Sequence, residues 1–259
     1  MMKIKMSREV DLGKEPIGKL LLILALPSIT SQVVNALYNM VDRMYIGHID
    51  TIGSTALTGV GVCFPIIMIV SAFAYLLGMG GAPRASIYMG KRKNEEAEKI
   101  LGNCFSSLLI VAILLTAVVL IFKEPLLYLF GASEQTLPYA IQYIEIYAIG
   151  TVFVQLTLGM NAFITAQGFA KVGMLSVLIG AVANTALDPL FIFTFRMGIA
   201  GAAAATVLSQ TVSCLWVLRF LLGKKNLICL RRKYLRPDWP LLGRICALGV
   251  SSFIMQITE

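Results

Sequence analysis

Two aspartates sit in stretches otherwise suited to hydrocarbon. Asp42 closes the run LPSITSQVVNALYNMVD, and Asp188 lies in NTALDPLFIF, residues 184–193. An ionised carboxylate is costly inside a bilayer, and acids placed there usually mark an ion or proton pathway. Asn184 and Asp188 are four residues apart and share one helix face; Asn35 and Asp42 are seven apart and share another, with Asn39 on the same side. Thr206 and Gln210, again four apart, offer oxygens from a third segment. Carboxylates with amide and hydroxyl oxygens beside them can hold Na+ when ionised, or share a proton. The candidate Na+ ligands are Asp42, Asn184, Asp188 and Thr206. The plain alternative for Asp188 and Pro189 is a helix end at the membrane interface with the acid partly solvated. For Asp42 it is a solvated acid beside Arg43. A third acid, Glu145, lies one to two turns from a helix end, where reaching water is easy, and Tyr143 precedes it.

The elements that must position these residues are membrane helices. Hydrophobic residues make up 58% of the 259 and charged residues 14%, against about 25% charged in a soluble domain; mean hydropathy is +0.80. A spanning helix needs about 20 mostly apolar residues. Six stretches qualify, at 17–42, 55–82, 98–122, 137–163, 172–195 and 199–222, and a seventh begins near 243. The chain therefore divides into a polar N-terminus (1–16), a six-helix bundle (17–222), a basic linker (223–242) and the start of helix 7 (243–259), where a longer protein is expected to continue. The fold class is an all-α, polytopic membrane bundle. Pro27 removes a backbone hydrogen bond from helix 1 and is expected to bend it. Residues 1–15 are polar and the first apolar run is too long for a secretory signal, so none is expected.

Charge placement sets orientation. Of the 22 Lys and Arg, five precede residue 20, five lie around the 2–3 connection (Arg84, Lys91, Arg92, Lys93, Lys99), Lys171 lies in the 4–5 connection, and eight lie between Arg219 and Arg244. The opposite side carries Arg43, Lys123 and Arg196. This bias predicts a cytoplasmic N-terminus for a multi-pass membrane protein. The basic linker reads as a topology signal and a solvated connection, able to touch anionic headgroups. A weak echo aligns 16–32 with 240–256, after an even number of helices, which is the pattern of parallel six-helix repeats.

Other chemistries find little support. The cysteines at 63, 104, 214, 229 and 246 are scattered and His48 stands alone, so apart from a possible Na+ no metal site is expected. No glycine–lysine pair is followed by Ser or Thr, which excludes a P-loop. Neither an enzyme nor a nucleic-acid binder is indicated, and no cofactor is implied beyond a coupling ion.

In their order of occurrence, LALPSITSQVVNALYNMVDRMYIG, STALTGVGVCFPI, LLGMGGAPRASIYMGK, FKEPLLYLFGAS, GMNAFITAQGFAKVGM and GAVANTALDPLFIF followed by GIAGAAAATVLSQ resemble the MATE (multidrug and toxic compound extrusion) family, and within it a MepA-like bacterial branch. The resemblance runs over essentially the whole chain. It implies twelve helices in two lobes around a V-shaped cavity, with this chain supplying the N-lobe and the start of helix 7. It implies a cation site of Asn35, Asp42, Tyr143, Asn184, Asp188 and Thr206, with Tyr143 ranked above Glu145, and a bend at Pro27. The implied activity is export of amphipathic, mostly cationic, drug-like compounds against H+ or Na+, with the C-terminal lobe and the lipid bilayer as partners and antibiotic resistance as a consequence. Methionines such as Met40 and Met160 are candidates for adaptable substrate contacts. The alternatives are a flippase for a lipid-linked substrate, which calls for buried Lys or Arg, and an inactive half-length subunit.

Overall fold

In hydrocarbon a backbone has no hydrogen-bond partner but itself, so each long apolar run folds as a helix. The computed structural model describes residues 17–49, 53–223 and 226–258. The segment 1–16, with Lys3, Lys5, Arg8 and Lys14, and the pair Lys224 and Lys225 lie outside the described residues. Among the described residues seven helices are long and apolar enough to cross a membrane, and no strand occurs. They are α1 (Ile17–Gly47), α2 (Gly53–Gly90), α3 (Asn94–Leu129), α4 (Leu137–Ala166), α5 (Ala170–Pro189), α6 (Ile199–Leu221) and α7 (Trp239–Thr258).

The helices overrun the bilayer-length windows. The 38 residues of α2 make a rod of about 57 Å, well beyond a hydrocarbon core of about 30 Å. The basic cluster Lys91–Lys93 is therefore a tight turn between α2 and α3, and Arg84 lies inside α2 rather than in a loop. The segment FKEP is not a connection either. α3 continues through it to Leu129, with a kink at Phe122 (φ −108°, ψ 20°) just before Pro125. α7 starts at Trp239, four residues early, because the Asp238 carboxylate caps the N–H of Leu241 at 3.3 Å.

Two glycines set chain reversals that other residues resist. Gly168 (φ 87°) turns α4 into α5, and Gly198 (φ 57°) starts α6. Buried side chains form two cores, one toward each end of the bundle. The core at the basic end joins α2, α3, α4, α6 and α7 around Leu101, Met160, Phe163 and Ile245. The other joins α1, α2, α4 and α6 around Ile46, Cys63, Tyr143 and Ile199. α1 is peripheral. It packs chiefly along α5, lightly on α2 and α6, and exposes Leu22, Leu26, Ile29, Val33 and Met40.

Candidate functional site

α1 runs as one helix through Pro27, although that residue supplies no N–H. Thr30 and Ser31 donate back to the carbonyls of Leu26 and Pro27, each at 2.8 Å; such bonds often accompany helix bending. Two turns before the end of α1 its polar face begins, and α1–α5 packing carries that face to helix 5. Asp42 is 8% exposed, Asn184 1% and Asp188 0%. The two carboxylates lie within electrostatic reach of each other across the seam. Asn184 donates from Nδ2 to Asp188 Oδ1 at 3.2 Å, as the four-residue spacing predicts. Pro189 closes α5 and a single π-helical segment, Leu190–Thr194, follows it. Gly201 of α6 sits so close to the Phe191 carbonyl that a Cβ there would lie 2.8 Å from it. The small-residue start of α6 thus seats it on the π segment beside the acids.

Tyr143 of α4 is buried and interacts with Asp42, and the Thr206 side chain of α6 faces its phenol. Five of the six candidate residues therefore converge from α1, α4, α5 and α6. Asn35 does not join them. It is exposed, its carbonyl accepts from Asn39 Nδ2 at 2.7 Å, and no hydrogen bond links its side chain to the others among the described residues. Arg43 lies over the Phe64 ring, 5.2 Å from its centroid, rather than in an ion pair with Asp42 among the described residues.

Two tyrosines that the spacing arguments passed over lie in the same cluster. Tyr38, one turn before Asp42, interacts with both Asp42 and Asp188. Tyr147, one turn beyond Tyr143, stacks on it with ring centroids 6.2 Å apart and planes at 14°. Their relation to Asp42 and Tyr143, four residues in each case, was the available signal. Gln155, fully buried, donates to Val70 O at 2.7 Å and ties α4 to α2.

The chemistry of the cluster follows from its unsatisfied atoms. Asp42 Oδ1, Asn184 Oδ1 and Asp188 Oδ2 are buried and have no hydrogen-bond partner among the described residues. A buried polar atom left unpaired costs about 1–3 kcal/mol. Three such oxygens from two adjacent helices form a donor set of the hard, anionic kind that suits a proton or an alkali cation.

Other candidates resolve differently. Glu145 pairs with Lys123 of α3 and its side chain is 42% exposed. Exposed ion pairs contribute about 0–1 kcal/mol. Glu145→Gln is therefore expected to move the melting temperature of the complete protein by less than about 4 °C and to leave export intact; a loss of export would return Glu145 to the site. Met160 is fully buried in the core, so it packs helices rather than lining a cavity, whereas Met40 is 61% exposed. Arg84 is partly buried within α2, its Nη1 donating to Arg244 O at 3.3 Å, so the bundle interior is not wholly free of cations.

The family model for MatE matches residues 27–190. The chain is 24% identical over 241 residues to the multidrug export protein MepA of Staphylococcus haemolyticus and 22% identical over 244 residues to that of Staphylococcus aureus. These matches cover 93% and 94% of this chain but 53% and 54% of the relatives, so the chain spans about half their length. An outward-facing multidrug resistance MATE transporter of the MOP superfamily superposes with a TM-score of 0.84 at 27% identity, over 93% of this chain and 53% of that one. A MOP superfamily transporter from Pyrococcus furiosus, whose binding pocket of reversed polarity suggests a different function, gives the same values. With the matched segment running from Pro27 through the acid pair to the end of α5, this chain belongs to the MatE family.

Proposed function

We propose that this chain is the N-lobe of an ion-coupled antiporter that exports amphipathic, mostly cationic organic compounds across a bacterial plasma membrane in exchange for H+ or Na+, with its N-terminus in the cytoplasm. The observation that carries the reading is the set of three unpartnered buried oxygens on Asp42, Asn184 and Asp188. The family relatives named for multidrug export support the substrate class. The linker that ends at Asp238 leads through α7 to a second, C-terminal lobe that completes the cavity.

Asp42 and Asp188 are the exchanging pair, Asn184 fixes the rotamer of Asp188, and Thr206 and Tyr143 complete the polar wall. A coupling ion supplies the positive charge that lets both carboxyls stay buried. When the pair is neutralised, α1 can stay seated on α5. When both carboxylates are charged, their repulsion and the cost of burying them favour a seam opened to water. α1 is suited to respond because α5 is its main support and Pro27 weakens its backbone ladder. Ion binding shifts such an equilibrium only by its different affinity for the two states. Tyr38, half-buried beside the acids, offers a ring face to an organic cation, while Tyr143 and Tyr147 are buried against each other behind it. A groove of about 420 Å³ between α1 and α5, walled by Leu37, Tyr38, Leu178 and Val182, can take its apolar part.

The test uses the complete protein in inside-out vesicles. A pH or Na+ gradient is imposed and uptake of a fluorescent cationic dye is followed. Uptake driven by one of the two gradients, and abolished when that gradient is collapsed, supports the reading and names the ion. Dye uptake indifferent to both gradients overturns it.

A further inference from the structure

The linker between α6 and α7 is docked on the bundle rather than free, although its basic side chains Arg231, Arg232 and Lys233 stay exposed. Residues 226–238 lie along one end of α3 and are held there by a continuous set of polar contacts. The N–H of Ile228, itself fully buried, donates to Gln167 Oε1 at 3.3 Å. The next N–H, of Cys229, donates to Glu98 Oε1 at 3.2 Å, and Arg231 Nε pairs with Glu98 Oε2 at 2.8 Å. Tyr234 donates its hydroxyl to Glu95 at 2.5 Å and Lys233 pairs with the same carboxylate at 3.3 Å. Asn103 closes the run. Its Nδ2 donates to Tyr234 O at 3.5 Å, its Oδ1 accepts from the Asp238 N–H at 2.6 Å, and Lys99 binds Asp238 at 3.1 Å.

The receiving surface is built for this. Glu95, Glu98 or Lys99, and Gly102 or Asn103 recur at helical spacing, so they form one face of α3. Glu98 is 5% exposed, and Asn103 and Gln167 are buried outright. A Cβ on Gly102 would lie 2.6 Å from the Tyr234 carbonyl, so the bare glycine is what lets the linker backbone lie flat. Lys233 and Glu95 are both well exposed and contribute little. The buried Glu98 is the central anchor, because loss of one partner leaves a carboxylate short of compensation. Immediately after this contact the chain enters α7, which packs along α2 at the same end of the bundle.

We propose that residues 226–238 form a latch that docks on the Glu95–Asn103 face of α3, holds α7 against α2 and so keeps the basic end of the bundle shut, and that this latch is released when that end opens. The proposal rests on the antiport reading above. Release must occur where anchoring charges meet, at Glu98 with Arg231, while the apolar Ile228 follows.

Cys229 reports directly. Its thiol donates to Gly223 O at 3.0 Å and its N–H is on Glu98, so the docked form, in which the residue is half-buried, shields it in part. The test is peptide-resolved maleimide labelling of Cys229 in the complete protein in inside-out vesicles, wild type against Glu98→Gln, Arg231→Gln and Arg232→Gln. Burial and the Glu98 charge push the Cys229 thiol up, and Arg231 draws it down. A purely electrostatic effect therefore speeds labelling in Glu98→Gln but slows it in Arg231→Gln. Latch release speeds both, by about 5-fold or more. Arg232, exposed and without an ion pair among the described residues, serves as the charge-matched control and should leave the rate unchanged. Slower or unchanged labelling in Arg231→Gln overturns the latch. So does a wild-type rate that does not rise when dye and gradient are supplied to a protein that exports, since the linker is then a fixed brace. If the wild type exports nothing while the variants still label faster, the antiport reading fails and the docking contact stands.

Discussion

Asp188→Asn is expected to cut ion-driven dye export by the complete protein steeply while leaving its fold and its dye binding in place. The substitution keeps the shape of the side chain, and the new amide oxygen can still accept from Asn184, which now reaches Asp188 Oδ1 at 3.2 Å. What disappears is the exchangeable charge at a position with no exposure at all. Coupling between two sites is typically worth 1–3 kcal/mol, so export should fall by about 5- to 150-fold. Asp42→Asn should do the same, because the two carboxylates interact across the α1–α5 seam. The double variant should be little worse than either single one, as for residues that act as a unit. Initial rates of dye uptake into inside-out vesicles give the export values; fluorescence polarisation and gel filtration report binding and folding. Full export by Asp188→Asn would make it a helix-end residue beside Pro189, and the site assignment would be wrong.

The acid pair was legible because an acid in an apolar run stands out, and because a four- or seven-residue spacing fixes a shared face before any packing is known. The same logic placed Thr206 and Asn184. It also admitted Asn35, which satisfies the spacing but is left exposed, although its neighbour Val34 lines the groove between α1 and α5. Tyr38 and Tyr147 were missed because a phenol in an apolar run reads as ordinary packing; only the position of a neighbouring helix brings it beside the acids. The linker contacts could not be read at all. Glu98 meets Cys229 across 131 residues of sequence, and the windows that marked spans at bilayer length left Glu95 in a loop and Glu98 at a helix start, although α3 carries both on one face. The eight cations from Arg219 to Arg244 signalled orientation, and that reading concealed that Arg231 and Lys233 are engaged. Nothing in the spacing of residues pointed to drugs; that part came from resemblance.

Gly249→Ala and Gly80→Ala are each expected to loosen the seam between α2 and α7. The two helices run antiparallel in close register: Arg84 reaches the Arg244 carbonyl, the Phe73 and Phe253 rings meet edge to face at 5.1 Å, and Gln256 reaches Met68. Between these contacts both helices turn glycine toward each other. A Cβ on Gly249 would lie 1.9 Å from Leu76 O, and one on Gly80 2.2 Å from Ile245 O. Backbone cannot yield as a flexible side-chain end does, so either methyl must push α7 off α2 and forfeit the close packing that small residues provide. Overpacking of this kind costs about 1–3 kcal/mol. Gly243 is the internal control, since nothing lies within 4 Å of a Cβ there. Gly243→Ala, in the same helix, should gain up to about 1 kcal/mol from helix propensity. Because both seam methyls relieve themselves by the same displacement, the double variant should lose less than the sum of the single losses, with a coupling of about 0.5–3 kcal/mol. Thermal unfolding of the complete protein in detergent, across this series, measures all four effects. Additive losses would mean that the two glycines serve separate contacts. Unchanged melting temperatures in both seam variants would mean that α7 does not rest on α2, and the latch would then have nothing to hold shut.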